Sequence, residues 1–333
     1  MVKRWDVLTL GRLGLDLYAL EAGPKAETRA FGAFIGGNPL NVAVGAVRLG
    51  LAAGLVSAVG DDAVGEFVLA RLAREGVDTR FVFLKAGYRT PAVVLFREGG
   101  TYPLTFYREA AADWALGLGD VAQVPVEETR ALFVSGTALA REPSRSAAFA
   151  LAERARAQGV PVYLDLDFRP GQWHDPGAYG VVLRSFLPLV RVAIGGEGEV
   201  RALRPRSVQV RAHQATEPLV EGDLEEAVAE ALGRGLEALV VKGGERGAGA
   251  FFPDGKRVWV EAFPVEVLTP LGAGDAFAAG LLWARLRGRP WEEALLVGNA
   301  CGAIVASRLG CGEFSPRREE LMAFLRERGF HVD

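Results

Sequence analysis

The chain has 333 residues, 50% of them hydrophobic, and a formal net charge of −3 at pH 7. This length and composition allow a large core, in one big α/β domain with an accessory element or in two domains. The near balance of acidic and basic residues does not favour a nucleic-acid or anionic-membrane partner. The 2 cysteines and 3 histidines do not form a zinc or disulfide framework.

Targeting signals are not evident in the sequence. The first residues lack the apolar core and small-residue cleavage site of a signal peptide, and no stretch of about eighteen charge-free apolar residues suggests a transmembrane helix. We therefore expect a cytoplasmic protein. In that reducing compartment Cys301 and Cys311 are expected to be buried thiols, with one bridge between them as the alternative.

Short apolar runs alternate with helical patterns along most of the chain. The predicted strands are 5–11, 53–60, 131–136, 160–167, 191–196 and 238–244, and the predicted helices are 38–50, 64–76, 144–159 and 223–235. Strands that are apolar throughout and separated by helices indicate a mostly parallel sheet with helices on both faces. We therefore predict an α/β fold in one domain over residues 1–333.

Two segments, about 15–35 and 79–110, have a different pattern of alternating strands and turns. The second contains Arg-Glu-Gly-Gly at 97–100, which is typical of a hairpin turn. Together they can form a small antiparallel sheet that acts as a lid over the strand ends, where α/β sheets bind ligands. An ordinary antiparallel extension is the alternative. Residues 207–221 show no clear period and are predicted to be irregular.

A glycine-rich motif, Gly272-Ala273-Gly274-Asp275, precedes a helical run near the C-terminus. Glycines allow a tight turn with exposed N–H groups, and the N-terminus of the following helix favours an anion. A carboxylate at such a point can accept a proton from a substrate hydroxyl. The alternative is that Asp275 only caps the helix.

A second motif, Gly36-Gly37-Asn38-Pro39-Leu40-Asn41, lies far upstream and also leads into a predicted helix. Its glycines permit close approach to a ligand, and a carboxamide such as that of Asn41 can both donate to and accept from sugar hydroxyls. The two motifs, in this order and roughly 230 residues apart, resemble the two signatures of the ribokinase/PfkB family of sugar kinases. The resemblance covers nearly the whole chain.

The resemblance implies a ribokinase-like fold with a β lid, ATP as phosphoryl donor, Mg²⁺, and transfer to a sugar hydroxyl. It implies that Asp275 is the catalytic base and that Gly272, Ala273 and Gly274 form an anion hole. The remaining implied roles are sugar binding by Asp16, Gly37 and Asn41, nucleotide binding by Lys242, Gly244, Gly247 and Asn299, and organisation of Mg²⁺ through water by Glu199.

The chain departs from the family pattern at two places. Gly196 stands where the family has the asparagine of its Asn-x-x-Glu motif, so that metal organisation depends on Glu199 or water. Thr269-Pro270-Leu271 stands where the family often has Asp-Thr-Thr, whose aspartate helps to bind a monovalent cation. The requirement for K⁺ is therefore left open.

Two arginines suggest an acidic sugar as acceptor, because guanidinium binds carboxylate oxygens in a forked geometry. Arg108 lies on the predicted lid, and Arg169 follows a predicted strand together with Asp167. The alternative for each arginine is a structural salt bridge. This pattern resembles the family branches that phosphorylate keto-deoxy sugar acids at the primary hydroxyl. 5-Dehydro-2-deoxygluconate, of myo-inositol catabolism, is the first candidate acceptor, 2-dehydro-3-deoxygluconate the second and fructose the third.

A non-catalytic sensor and a dehydrogenase are the two alternatives to a kinase. A non-catalytic sugar or nucleotide sensor on the same fold would suit Gly196 and Thr269 but has no need of the Asp275 motif. A dehydrogenase would need Gly-x-Gly-x-x-Gly after the first strand, and Gly11 and Gly14 are spaced differently. The apolar lid strand 93–96 allows a homodimer through the lid.

Overall fold

A computed structural model describes residues 3–205, 207–209 and 219–332, and it contains two principal sheets. The strands in chain order are β1 (Val7–Leu10), β2 (Gly14–Ala19), β3 (Phe31–Gly36), β4 (Ala53–Gly60), β5 (Asp78–Lys85), β6 (Ala92–Leu95), β7 (Leu104–Tyr107), β8 (Leu132–Ser135), β9 (Val162–Asp165), β10 (Val192–Gly196), β11 (Ser207–Gln209), β12 (Leu219–Glu221), β13 (Ala238–Lys242), β14 (Ala248–Phe251) and β15 (Arg257–Val260).

Helices connect these strands and cover the larger sheet. They are α1 (Asn38–Arg48), α2 (Ala63–Glu75), α3 (Leu118–Val121), α4 (Ser144–Ala157), α5 (Ala178–Phe186), α6 (Glu197–Arg201), α7 (Leu224–Leu232), α8 (Ala273–Leu286), α9 (Trp291–Ala306) and α10 (Arg318–Arg326). None of the helices in the described ranges has the length and apolar character that a membrane crossing needs.

The larger sheet has nine strands within the described residues, in the order β15-β14-β13-β10-β9-β8-β1-β4-β5. Strands from β13 through β5 in this order pair in parallel, and β14 and β15 add an antiparallel edge. Two apolar clusters cover its faces, one built mainly with α1, α2, α8, α9 and α10, the other with α4, α5 and α7. The predicted parallel sheet with helices on both faces is confirmed.

The strands of this sheet are apolar on both sides because both sides are covered. Val7 and Leu8 are neighbours in β1, are both fully buried, and belong to opposite clusters. All eight residues of β4 are buried. The carboxyl ends of β1, β8, β9, β10 and β13 meet at one edge, which is where a doubly wound sheet places its ligands.

The smaller sheet has the order β3-β2-β6-β7 and corresponds to the predicted lid. Its outer pairs are antiparallel, as predicted, but the central pair β2–β6 is parallel. The turn predicted at 97–100 connects β6 and β7, with Glu98 bridged to Thr101. The segment 79–85, predicted to belong to the lid, lies instead in β5 at the edge of the larger sheet, because it pairs in parallel with β4.

Residues 207–221, predicted to be irregular, include the short antiparallel pair β11–β12. His213 lies outside the described residues. Cys301 and Cys311 are both buried, free thiols, so the predicted thiols are confirmed over the alternative bridge.

Candidate active site

A pocket of about 600 Å³, solvent at its mouth included, lies between the lid and the edge where the parallel strands end. The lid contributes Val93, Leu95, Leu104 and Phe106 to its wall. The apolar character of strand β6 thus has a local cause, since Val93 and Leu95 are buried against this pocket. Six of the predicted site residues line it, namely Asp16, Asn41, Asp167, Arg169, Gly272 and Asp275.

Asp275 is the third residue of α8, and its carboxylate is held by two side-chain amides from α1. Asn38 Nδ2 donates to Oδ1 at 2.8 Å, and Asn41 Nδ2 donates to Oδ2 at 2.6 Å. The residue at the N-cap position is Gly272, and no side chain caps this helix. Asp275 therefore does not cap the helix, which was the alternative to a catalytic role. Its hydrogen bonds instead join the two motifs across more than 230 residues of sequence.

The turn before α8 requires glycine. Gly272 has φ of 77°, in the left-handed region, and a Cβ there would lie 2.8 Å from the Cβ of Cys311. Ala273 N already donates to the carbonyl of Pro270 at 3.3 Å. A Cβ on Gly274 would lie 3.2 Å from Lys242 Nζ, so the ammonium group of β13 stands beside the first turn of α8. This turn, with its helix N-terminus and adjacent cation, suits an anion.

The first motif also depends on glycine at two points. A Cβ at Gly36 would overlap the Asp16 carboxylate, at 2.0 Å from Oδ2. Gly37, the N-cap of α1, has φ of 122°, and a Cβ there would lie 2.3 Å from the carbonyl oxygen of Arg12. These two glycines let the lid strands approach the start of α1, so that Asp16 reaches the same pocket as Asp275.

The pocket holds several carboxylates whose pKa values move in different directions. Burial raises the pKa of Asp16 to about 6, and the charge of Asp275 adds to this while Arg12 opposes it. Burial also raises the pKa of Asp275, against the hydrogen bonds from Asn41 and Asn38. For Asp167, burial is outweighed by Arg169 and by the Ser135 hydroxyl, so its pKa is lowered. Separated pKa values of this kind are typical of functional sites.

Arg108 and Arg169, the two predicted substrate arginines, have different surroundings. Arg169 lines the pocket and pairs with Asp167 at 3.1 Å. Arg108 is buried, where it pairs with Asp113, donates to Gln172, and lies 4.3 Å over the ring of Trp114. Its side chain does not line the pocket. The contacts of Arg108 are therefore those of a structural salt bridge, the alternative to sugar binding.

Three of the four predicted nucleotide-binding residues lie at the end of β13 or in the turn after it, and the fourth, Asn299, lies on α9. Lys242, at the end of β13, pairs with Asp165 at 3.3 Å; burial opposes the charge of Lys242, but Asp165 outweighs it and raises the lysine pKa. Gly244 and Gly247, in the turn between β13 and β14, have φ of 61° and 96°. Asn299, on α9, donates to the carbonyl of Val260 at 3.0 Å.

Glu199, the predicted metal residue, is buried at the start of α6. Its Oε1 accepts from Phe168 N at 3.1 Å and its Oε2 accepts from Gly196 N at 2.7 Å. In the described part of the chain, no three or more histidine, cysteine, aspartate or glutamate side chains come together as a metal-ligand group. Glu199 is thus engaged with backbone amides, and each oxygen keeps a lone pair for water.

Sequence reasoning did not select several polar residues of this pocket, among them Arg12, Asn38, Thr137 and Gln172. Asn38 was visible within the first motif, but its side chain was not singled out. Arg12, directly after Gly11 at the end of β1, has no pattern that marks it.

Comparisons with known proteins agree with this geometry. The pfkB family carbohydrate kinase model matches residues 6–318. Curated relatives include the 5-dehydro-2-deoxygluconokinases of Shouchella clausii (strain KSM-K16), 32% identical over 98% of this chain and 97% of the relative, and of Bacillus subtilis (strain 168), 30% identical over 96% and 95%.

Solved structures show the same fold. An E. coli protein crystallised with ATP and Mg²⁺ matches with a TM-score of 0.84 and 26% identity, over 98% of this chain and 100% of that one. A fructokinase variant from Vibrio cholerae O395, with fructose, ADP and potassium ion bound, matches with a TM-score of 0.80 and 26% identity over 98% and 100%. The ribokinase-like fold is confirmed, and the chain belongs to the pfkB family of carbohydrate kinases.

Proposed function

We propose that this carbohydrate kinase transfers the γ-phosphoryl group of ATP to the primary hydroxyl of a keto-deoxy sugar acid, with 5-dehydro-2-deoxygluconate as the first candidate. The observation that carries the proposal is the Asp275 carboxylate, held by two amides at the first turn of α8 and open to a polar pocket. The names of the curated relatives support the acceptor. Two arginines in the pocket wall, Arg12 and Arg169, suit an anionic sugar.

Asp275 is proposed as the base that accepts the proton of the attacking hydroxyl. Its two oxygens are fixed by Asn38 and Asn41, so the carboxylate is oriented before the sugar enters. Burial raises its pKa, which brings the base closer to the working pH and increases its proton affinity. The asparagine hydrogen bonds stabilise the ionised form, which is the form that can accept a proton.

The first turn of α8 is proposed to hold the negative charge that develops during transfer. The amides of a helix first turn have no acceptor within the helix, and donors fixed in place are effective at this task. Lys242 adds a cation beside Gly274. The lid helps to exclude water from the pocket, and the Tyr102 hydroxyl, between β6 and β7, ties it to the segment before α8 by donating to the carbonyl of Leu268 at 2.6 Å.

Gly247 and Asn299 support a nucleotide site at the outer strands of the sheet. A Cβ on Gly247 would lie 2.1 Å from the carbonyl oxygen of Val260, and Asn299 donates to that same oxygen at 3.0 Å. Both predicted residues therefore shape one surface, next to the lysine of β13. The proposed nucleotide extends from this surface toward α8.

Mg²⁺ fits this donor set if the phosphates and water supply most of its ligands, as is usual for Mg²⁺ in kinases. Glu199 is the candidate protein group, acting through water, since both of its oxygens already accept a backbone amide. When bound, the ion neutralises charge on the transferring phosphoryl group.

The acceptor is tested by ADP release with Mg²⁺-ATP and a panel of sugars, namely 5-dehydro-2-deoxygluconate, 2-dehydro-3-deoxygluconate, fructose and ribose. The proposal predicts turnover on the first acid, with the highest kcat/KM of the panel. Preference for 2-dehydro-3-deoxygluconate or for fructose would replace the acceptor and leave the kinase chemistry in place. Silence on every sugar, with ATP still bound, would favour a sensor.

A further inference from the structure

Unpartnered polar atoms are concentrated in the proposed sugar pocket. Across the described residues, nine buried side-chain nitrogen or oxygen atoms have no hydrogen-bond partner, and four of them belong to pocket residues. They are Arg12 Nη1, Asp16 Oδ1, Asn38 Oδ1 and Gln172 Nε2. Because a buried polar group without a partner is destabilising, these atoms indicate a polar ligand with both donors and acceptors.

The orientation of the two amides is fixed by their other contacts. Gln172 Oε1 accepts from Arg108, so its Nε2 is a donor. Asn38 Nδ2 donates to Asp275, so its Oδ1 is an acceptor. The acceptor atom of Asn38 lies beside the proposed base, where a sugar hydroxyl is required. The donors Arg12 and Gln172 instead suit ligand oxygens that accept hydrogen bonds.

Arg12 is distinguished from the other two arginines of this region by its contacts. Arg108 is engaged by Asp113 and Gln172, and Arg169 pairs with Asp167. Arg12 Nη1 is 3.8 Å from Asp16 Oδ1, beyond hydrogen-bond distance, and it has no hydrogen-bond partner in the part of the chain that the structure describes. Its guanidinium lies 5.5 Å from the ring centroid of Phe106 on the lid, which holds it in the pocket wall.

We propose that Arg12 is a specificity-determining residue whose guanidinium binds the carboxylate of the acceptor and so selects sugar acids over neutral sugars. This inference rests on the proposed function. Guanidinium binds carboxylate through two parallel hydrogen bonds, which a hydroxyl does not reproduce. An acid acceptor carries a carboxylate and a primary hydroxyl, and the pocket wall offers Arg12 for the first and Asp275 for the second. The competing role for Arg12 is to balance the charge of Asp16.

The test compares Arg12→Gln, which removes the charge, with Arg12→Lys, which keeps the charge without the fork. Arg4→Gln is the matched control, because Arg4 has nearly the same contacts on the exposed surface: 3.8 Å to Glu128 and 5.4 Å to the Trp5 ring. For each variant, kcat and KM are measured with 5-dehydro-2-deoxygluconate, and the affinity for fructose is measured as acceptor or as competitive inhibitor.

We expect Arg12→Gln to lower kcat/KM for the acid by about 10- to 100-fold, mostly through KM, the range for one charge-assisted hydrogen-bonded pair. Arg12→Lys should recover part of this loss, and the affinity for fructose, the KM for ATP and the melting temperature should change little. An equal loss of affinity for acid and fructose overturns the inference in favour of the Asp16 role, as does an unchanged KM for the acid. A wild-type enzyme that turns over fructose and neither acid overturns the proposed acceptor itself, and this inference with it.

Discussion

Two helices of this chain begin with the same pattern, a glycine N-cap, a second glycine two residues later, and then an acid. In α6 the pattern is Gly196-Glu197-Gly198-Glu199, and in α8 it is Gly272-Ala273-Gly274-Asp275. Glu199 turns back on its own helix and accepts from the amide of its N-cap glycine, as glutamate at this position often does. Asp275 instead meets the two asparagines of α1 and faces the pocket.

The difference shows that a motif acquires chemistry from its tertiary partners. The Glu199 carboxylate is engaged with two backbone amides, whereas the Asp275 carboxylate is oriented by side chains and left open to a ligand. The N-cap glycines also differ, since Gly196 has an ordinary φ of −71° and Gly272 a left-handed φ of 77°. Substitutions at matched positions of the two helices should therefore have different effects on turnover and stability.

The largest expected effect is that of Asp275→Asn on turnover. Loss of the base should lower kcat by about 10²- to 10⁴-fold, with ATP affinity and melting temperature retained. ADP release and calorimetric ATP binding measure this. Asp223→Asn is the control, because Asp223 is a true N-cap of α7, accepting from Glu226 N at 3.0 Å, and asparagine caps equally well. Activity above a few per cent in Asp275→Asn would contradict the assignment.

Glu199→Ala is expected to act mainly on stability. It removes the acceptor of two amides, Phe168 N and Gly196 N, and should lower the free energy of unfolding by about 2–4 kcal/mol. Urea denaturation measures this, and the Mg²⁺ dependence of the residual activity is recorded alongside. Unchanged stability with a large rise in the Mg²⁺ requirement would show that the ion, and not the fold, is what Glu199 serves.

Alanine substitution at the two N-cap glycines should lower the free energy of unfolding by different amounts. Gly272→Ala places a Cβ 2.8 Å from Cys311 in a left-handed backbone, so the free energy of unfolding should fall by about 1–3 kcal/mol. Gly196→Ala is expected to change it by less than about 0.5 kcal/mol, since its Cβ would lie 3.6 Å from Glu199 Oε2. Equal effects on thermal unfolding would contradict the difference between the two turns.

Asn41→Ala is expected to lower kcat only about tenfold, and it also shifts the pH profile. Its hydrogen bond lowers the pKa of Asp275, which burial raises. Because the base is active when deprotonated, removal of the bond raises this pKa and moves the acidic limb of kcat to higher pH. If the acidic limb of kcat stays in place or moves to lower pH, the Asn41 hydrogen bond does not lower the pKa of the base.

Apolar patterning predicted most strands of the larger sheet, and its clearest failure is the segment 79–85. The run 53–60 predicted β4 to the residue because a strand buried on both faces is apolar throughout. The segment 79–85 resembles a lid strand because β5, at the edge of the larger sheet, is mostly half-exposed and is not apolar and buried throughout. The pairing partner, β4, decides between these positions, and the pattern of β5 does not reveal it.

Site residues were predictable from the sequence where they belong to motifs. They were not predictable where tertiary contacts decide which side chains face the pocket. Asp275 and Asn41 belong to two recognisable signatures, and the structure brings them to 2.6 Å. Arg108 was predicted to face the sugar, but its partners include Gln172, 64 residues away in sequence. Arg12, which does line the pocket, was missed because a single arginine after Gly11 has no distinguishing pattern.

The proposed reaction is tested most directly by the position of the phosphate in the product formed from 5-dehydro-2-deoxygluconate and Mg²⁺-ATP, determined by phosphorus–proton correlation NMR. A single phosphoester at the primary hydroxyl is expected with the wild-type protein, formed at least about 10²-fold more slowly with Asp275→Asn. No phosphorylated acid, or a phosphoester at a secondary hydroxyl, would contradict it.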